Sequence, residues 1–257
     1  MNISELKAFL DEKVKQYNRA DFIESDPIQI PHRFSRKEDI EISALLTALL
    51  SWGNRKMIIA KAGDLMERMG NSPYDFVMNY SEKQLHKTED FKHRTFNGVD
   101  LDFLLRALRN IYLNHKGLEQ VFHFDEKDED SLNAIENFRT ILLETPHEIR
   151  SEKHLSSPAK GSAAKRLNMF LRWMVRNDKQ GVDFGIWKNI SAAQLVCPLD
   201  VHSGNTARKL GLLKRKQNDW KAAVELNSNL KKINPVDPVS YDYALFGLGV
   251  FENFSKI

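Results

Sequence analysis

PLDVHSGNTARKLGL, Pro198 to Leu212, reads as the start, body and end of one short helix. The apolar run Leu195-Val196-Cys197-Pro198-Leu199 leads up to it, and Asp200 breaks that run. Aspartate favours helix starts because its side-chain oxygen accepts hydrogen bonds from first-turn amides that otherwise lack partners. Either Asp200 or Ser203 is therefore expected to open the helix. Leu210-Gly211 should close it, since glycine readily takes the left-handed conformation that ends helices. A carboxylate at Asp200 stays ionised, because the first-turn amides and the helix dipole both favour negative charge. A capping aspartate is ordinarily structural, so any chemistry depends on what else comes near it.

The same punctuation recurs outward in both directions. Ser35-Arg36-Lys37-Glu38 has the form of a capping box. It precedes Ile42, Leu45, Leu46, Leu49 and Leu50, which follow the 3.6-residue period. Asn54 should cap a helix from Arg55 to about Met69, with Gly70 ending it, and Ser72-Pro73 should begin another. Asp100 is read as opening a helix with Leu101, Leu104, Leu105, Leu108 and Tyr112 on one face, and Gly117 follows it. The charged run Asp125 to Ser131 leads into a helix that Pro146 stops. Residues 147–160 are polar and read as a linker. Gly161 is expected to open the helix that carries Lys165, Asn218 to cap the next, and Asp237-Pro238 to start the last. No stretch alternates like a strand. The expected fold class is all-α, with two helical lobes and a cleft between them, because ligand sites favour such junctions.

The bulk numbers narrow the function classes. A chain of 257 residues, 42% of them hydrophobic, can fill one large domain or two small lobes. No apolar run approaches the roughly 18–20 residues that span a bilayer. The start, MNISELKAFLDEKVKQY, has acidic residues and no apolar core, so it is not read as a secretory signal. One cysteine, Cys197, rules out an internal disulfide and a four-cysteine cluster. A cytoplasmic setting is the expectation. The net charge of +3 permits nucleic-acid binding without demanding it. The eight histidines are scattered, with no two-His-plus-carboxylate spacing, so no metal and no cofactor is expected.

Lys165 is the second candidate. It is placed about one turn inside a helix starting near Gly161, where the positive end of the dipole favours an uncharged amine. Ala163, Ala164, Leu167 and Met169 around it would desolvate an ammonium, and a free amine is what a lysine nucleophile requires. The rival reading is a solvated lysine on an amphipathic helix.

Several segments together resemble the helix-hairpin-helix DNA glycosylases. Asp200, His202, Arg208, Leu210 and Gly211 match the family's aspartate segment. In NPVDPVSYDYALFGLGV, Asp242, Ala244, Leu245, Leu248 and Gly249 match its closing helix. Gly161-Ser162-Ala163-Ala164-Lys165-Arg166-Leu167-Asn168 is similar to the hairpin and lysine segment, although Ala163 replaces the second hairpin glycine. The helix pair from Ile42 to Met69 is similar to the N-terminal pair. The whole chain also resembles a bacterial family of glycosylase-like proteins related to the archaeal 8-oxoguanine DNA glycosylase, which shares a long lysine-to-aspartate gap. Here that gap is 35 residues.

The resemblance implies a base-excision glycosylase with abasic-site lyase activity acting on an oxidised purine such as 8-oxoguanine. Its partner would be damaged double-stranded DNA, with no membrane involved and the protein a monomer. Lys165 would form the Schiff base and Asp200 would assist it. Trp52, Asn54 and Arg55 fall where the family inserts a side chain into DNA, with Trp52 alternatively a core aromatic. Gly161, Ser162 and Ala163 would meet a phosphate, and Arg166 and His202 would lie beside the DNA. Arg172, Lys56, Lys61 and the basic run Lys209 to Lys216 are weaker contacts, and Trp173 and Trp187 are read as core. The implied organisation is one glycosylase-like domain over 1–257. It has an arm over 1–34, a central lobe over about 35–150 and a hairpin-bearing segment over 151–257. The alternatives are a DNA-binding protein that kept the fold without the chemistry, and a helical scaffold.

Overall fold

Helices account for nearly all the regular structure. The computed structural model describes residues 1–125 and 127–254, so Glu126 in the charged run lies outside the described residues. In chain order the helices are α1 (Ile3–Tyr17), α2 (Ala20–Ser25), α3 (Lys37–Leu50), α4 (Arg55–Arg68), α5 (Pro73–Asn79) and α6 (Glu82–His86). After a two-residue antiparallel pair, β1 (Lys92–His93) with β2 (Phe96–Asn97), come α7 (Gly98–Asn114), α8 (Leu118–Val121) and α9 (Leu132–Leu143). The last four are α10 (Lys165–Val175), α11 (Val201–Lys209), α12 (Trp220–Ile233) and α13 (Tyr241–Val250). The all-α expectation holds, with that one hairpin added among the described residues. Among the same residues no helix is long and apolar enough to cross a membrane.

The chain divides into two compact units. A central unit comprises Ser25–Phe124 and Asn133–Ser156, and a terminal unit comprises Met1–Glu24, Asp125–Leu132 and Ser157–Ile257.

In the central unit α3 is buried all round, from Ile40 to Leu50. A helix without a wet face must satisfy its polar side chains internally. Ser51 Oγ donates to Thr47 O at 2.8 Å, and Glu41 accepts from Tyr112 Oη at 2.7 Å. The expected capping box at Ser35 does not form. α3 starts at Lys37 with Arg36 at its N-cap, and Glu38 is drawn to Arg36, 3.1 Å away, rather than back to Ser35. Arg36 also stacks over Tyr74 at 4.1 Å and pairs with Asp75. Asn54 does cap α4, accepting from Met57 N at 3.2 Å, and Gly70 beyond it has φ +66°.

α7 starts at Gly98 rather than at Asp100, with Asn97 and Asp100 forming a capping box. Asp100 is nearly inaccessible and accepts from Arg150 Nη1 at 3.0 Å and Ser151 Oγ at 2.7 Å, with His154 Nε2 3.2 Å from its other oxygen. That cluster corrects the linker expectation. Residues 149–154 form a 3-10 turn, and three of its polar side chains, Arg150, Ser151 and His154, lie against the buried Asp100 carboxylate.

In the terminal unit α1 packs against α13. Tyr17 lies over Gly247, where an added Cβ would sit 2.1 Å from the ring. The ring stacks on Phe251 with centroids 5.6 Å apart, and Tyr241 Oη donates to Asp11 Oδ1 at 2.8 Å. α10 buries Leu167, Phe170, Leu171, Trp173 and Met174, and Trp187 is buried as well, so both tryptophans are core as expected. Burying one such side chain stabilises the fold by about 1.5–3 kcal/mol. Asn227 on α12 fastens the segment before α11: its Nδ2 donates to Leu195 O at 3.0 Å and its Oδ1 accepts from Cys197 N at 3.3 Å. The last helix is delayed. Residues 238–240 form a 3-10 turn, and α13 begins at Tyr241.

Candidate active site

Asp200 is the N-cap of α11. Its Oδ1 accepts from the backbone N–H of His202 at 2.8 Å and of Ser203 at 3.0 Å. Ser203 Oγ in turn accepts from Asp200 N at 2.9 Å, completing the capping box. One carboxylate oxygen is thus committed to the helix start. The other, Oδ2, lies 3.2 Å from Lys165 Nζ. Burial pushes the Asp200 carboxyl up, but the Lys165 charge and the Ser203 amide outweigh it and hold the group below the usual aspartate range.

Lys165 is reached differently from the sequence expectation. The helix does not open at Gly161. Residues 158–161 form a turn, residues 163–164 are outside any helix, and α10 starts at Lys165 itself. Gly161 has φ +88°, its N–H donates to Pro158 O at 2.8 Å, and its carbonyl accepts from Trp220 N at 3.0 Å. Ser162 bridges Asp219, and its Oγ accepts from Ala164 N at 3.2 Å. Asn168 Nδ2 donates to Ala163 O at 3.2 Å, while Ser131 Oγ donates to Asn168 Oδ1 at 2.6 Å. Ala164 is the N-cap with φ +46°, a left-handed conformation that costs a residue with a Cβ on the order of 1–2 kcal/mol. It turns the chain so that Lys165 is the first helical residue. Both members of the pair remain partly accessible, Lys165 at 31% and Asp200 at 23% of their side chains.

The expected side chains around the pair divide into accessible and buried ones. The His202 side chain is exposed, and the residue orients Asp200 through its backbone N–H. Arg166 is half-buried, and burial pulls its guanidinium below the usual range. Arg172 is not available to DNA. It is buried, with Nε 3.2 Å from Asp183 Oδ1 and Nη1 bonded to Asp242 Oδ2, and its guanidinium lies 4.3 Å from the Tyr243 ring centre. Cys197 is inaccessible, and burial pushes its thiol well above the ordinary range, so it is no nucleophile at neutral pH. Among the described residues no group of three or more His, Cys, Asp or Glu side chains is placed to hold a metal ion.

The remaining expected residues belong to the central unit. Trp52 is half-buried, with its ring edge-on to His93 at 5.9 Å and the Arg94 guanidinium 4.9 Å from its centre. Asn54 is spent on the α4 cap, Arg55 is half-buried, and Lys61 lies 3.5 Å from Asp64.

Two side chains escaped the sequence reading. Asn218 was expected to cap α12, yet Asp219 does so, accepting from Ala222 N at 3.0 Å. Asn218 instead donates to Asp200 O at 3.0 Å and accepts from Arg208 Nη2 at 2.6 Å, bracing the start of α11. A helix-capping residue type beside a true cap concealed that use. Arg94 on the Trp52 ring left no sequence signal.

A family profile described as "Protein of unknown function (DUF2400)" matches residues 26–251. That is most of the chain, and the protein belongs to this family. No curated protein and no solved structure matches it.

Proposed function

We propose that this protein is a DNA base-excision glycosylase of the helix-hairpin-helix type, with abasic-site lyase activity and an oxidised purine such as 8-oxoguanine as its base. The observation that carries the reading is the 3.2 Å approach of Lys165 Nζ to an Asp200 oxygen, with the second oxygen pinned by a helix start. A partly accessible amine beside a carboxylate held ionised suits attack on a sugar that gains positive charge.

A duplex hides the glycosidic bond, so the damaged nucleotide must first leave the stack, at a cost of a few kcal/mol that is least at damaged bases. Lys165 Nζ, as the free amine, attacks C1′. The nitrogen–carbon bond forms as the glycosidic bond breaks, and the base departs with the electron pair and takes up a proton. Opening of the C1′–O4′ bond, with a proton going to O4′, gives a Schiff base between Lys165 and the sugar. Loss of a C2′ proton then expels the 3′ phosphate and nicks the strand. Asp200 remains ionised and faces the developing positive charge. In this reading the protein works as a cytoplasmic monomer on damaged double-stranded DNA.

Borohydride trapping tests it. Wild-type protein is expected to cross-link to abasic or 8-oxoguanine duplex, and Lys165→Gln to lose the cross-link entirely. Absence of trapping by the wild type on every lesion duplex refutes the enzyme. Duplex binding that persists without trapping then selects the non-catalytic DNA-binding alternative.

A further inference from the structure

Three consecutive residues reach both halves of the pair. Asn218 Nδ2 donates to Asp200 O at 3.0 Å. Asp219 pairs with Ser162 across an isolated antiparallel bridge, and Trp220 N donates to Gly161 O at 3.0 Å. Asp200 caps α11, and Ser162 stands three residues before Lys165, the first residue of α10. Residues 218–220 therefore fasten the start of α11 on one side and the turn that delivers the lysine on the other.

This clasp is itself anchored. Asp219 caps α12 through Ala222 N and takes Arg215 Nε at 2.7 Å. Arg208, in the last turn of α11, donates from Nε to Arg215 O at 2.8 Å and from Nη2 to Asn218 Oδ1 at 2.6 Å. A guanidinium only donates and a carbonyl only accepts, so the Asn218 amide has one orientation, with Nδ2 aimed at Asp200 O. That carbonyl also accepts from Gly204 N at 2.9 Å, so both its lone pairs are used.

Gly204 makes the room. It lies inside α11, where glycine is less favourable than alanine. A Cβ there would stand 2.8 Å from Asn218 Oδ1, 3.2 Å from Asn218 Nδ2 and 3.0 Å from Arg208 Nη1. The residue that weakens the helix is the one over which the amide and the guanidinium lie.

We infer that Asn218 is a positioning residue, which with the backbone of Asp219 and Trp220 sets the Asp200 carboxylate against the Lys165 amine. Its part in catalysis rests on the pair acting as proposed above, whereas the placement does not. Asn218 works through the Asp200 carbonyl, and a shift there carries the carboxylate with it. A misplacement of about 1 Å can cost on the order of a hundredfold in rate.

The Asp200 carboxyl reports that placement without DNA. Burial pushes it up, while the Lys165 charge, the Ser203 amide and the Lys165 hydrogen bond hold it below the ordinary range, and His202 lowers it further. Asp242 on α13 and the Cys197 thiol also interact with it. With the clasp removed, the carboxylate and the lysine draw apart, burial is less opposed, and the carboxyl rises.

Two variants test this. Asn218→Ala removes the donor. Gly204→Ala displaces it while giving α11 a better helix former. Each is followed by carbon-13 titration of the Asp200 carboxyl in the free protein and by borohydride trapping on abasic duplex. Asn218 is exposed, so the first variant empties no core position, and the second decides should the first fail to fold. The expected result in both is an Asp200 midpoint above that of the wild type and trapping lower by about ten- to a hundredfold. A purely structural brace lowers the unfolding midpoint and leaves the carboxyl of the folded protein where it was. An unmoved carboxyl therefore overturns the proposal, whatever trapping does. A raised carboxyl with undiminished trapping overturns it too, because the reaction then proceeds without the clasp. If the wild type traps on no lesion duplex, the glycosylase falls, and a raised carboxyl still assigns the placement of the pair to Asn218. Trapping by the wild type with an unmoved carboxyl in the variants keeps the glycosylase and removes the clasp.

Discussion

Lys165 Nζ meets Oδ2 of Asp200 while Oδ1 of the same carboxylate holds two backbone amides, so one side chain starts a helix and faces an amine at once. The two duties are separable. Asp200→Asn keeps a capping oxygen and loses the charge, whereas Asp200→Ala loses both. Urea unfolding should show Asp200→Asn within about 0.5 kcal/mol of wild type and Asp200→Ala lower by about 1–2 kcal/mol. Trapping should fall about a hundredfold or more in both variants. Equal stability of the two would mean that the cap contributes nothing.

Arg172 is the counterweight to two buried acids. Replacing it with methionine leaves Asp183 and Asp242 facing one another without that cation. Thermal and urea unfolding should register a loss of about 3–5 kcal/mol. Arg215, 35% exposed in its pair with Asp219, is the control: Arg215→Ala should cost under about 1 kcal/mol.

Asp242 gives stability a pH dependence of defined sign. Its carboxyl is pushed from 3.8 up to about 6 by burial, so the native state prefers it protonated. That preference is fully expressed below its unfolded value, near 3.8, and is lost as pH rises through about 6. Asp200, held below its ordinary value, contributes in the opposite direction and loses its contribution in acid. The wild-type minus Asp242→Asn difference in unfolding free energy should therefore fall by up to about 3 kcal/mol from about pH 4 to about pH 7. A rising difference would contradict the assignment.

Gly247 leaves no room for a methyl group, because the Tyr17 ring covers it 2.1 Å from where a Cβ would sit. That ring is also held by Phe251 and by a bond to Glu252. Gly247→Ala should cost about 1–3 kcal/mol by denaturant unfolding. Gly249→Ala, whose Cβ would meet α11 at 3.1 Å, should cost less.

Arg94 offers a direct test of the proposed DNA partner. Its guanidinium caps the Trp52 ring on an exposed loop. Under the proposed function Arg94→Ala should weaken duplex binding evenly across sequences and reduce the slope of log affinity against log salt by about one. An unchanged slope would remove Arg94 from the phosphate contacts.

The elements legible in the sequence are those whose signals are local. Asp200 announced itself by ending an apolar run, Asn54 by preceding a periodic one, and Pro73 by starting a turn of helix. The misreadings arise where a polar residue answers to a distant partner. Arg150, Ser151 and His154 looked like linker because Asp100, the group they satisfy, lies about fifty residues earlier. Glu38 follows Arg36 rather than Ser35, and Asn218 braces Asp200 rather than capping α12. The start of α10 was missed because Ala164 takes a left-handed conformation that alanine composition does not foretell. The Lys165–Asp200 juxtaposition was anticipated only by resemblance, since a separation of 35 positions carries no local sign of it.

The pairing of α1 with α13 also sets an order of events during synthesis. Asp11 and Tyr241 are 230 residues apart, so a ribosome adding about 5–20 residues per second leaves α1 without its partner for roughly 10–50 seconds. The central unit draws on one nearly continuous stretch and can close within that interval. The terminal unit is gathered from three separated pieces, so the amine and the carboxylate it brings together wait for its later pieces while the central unit can already be native.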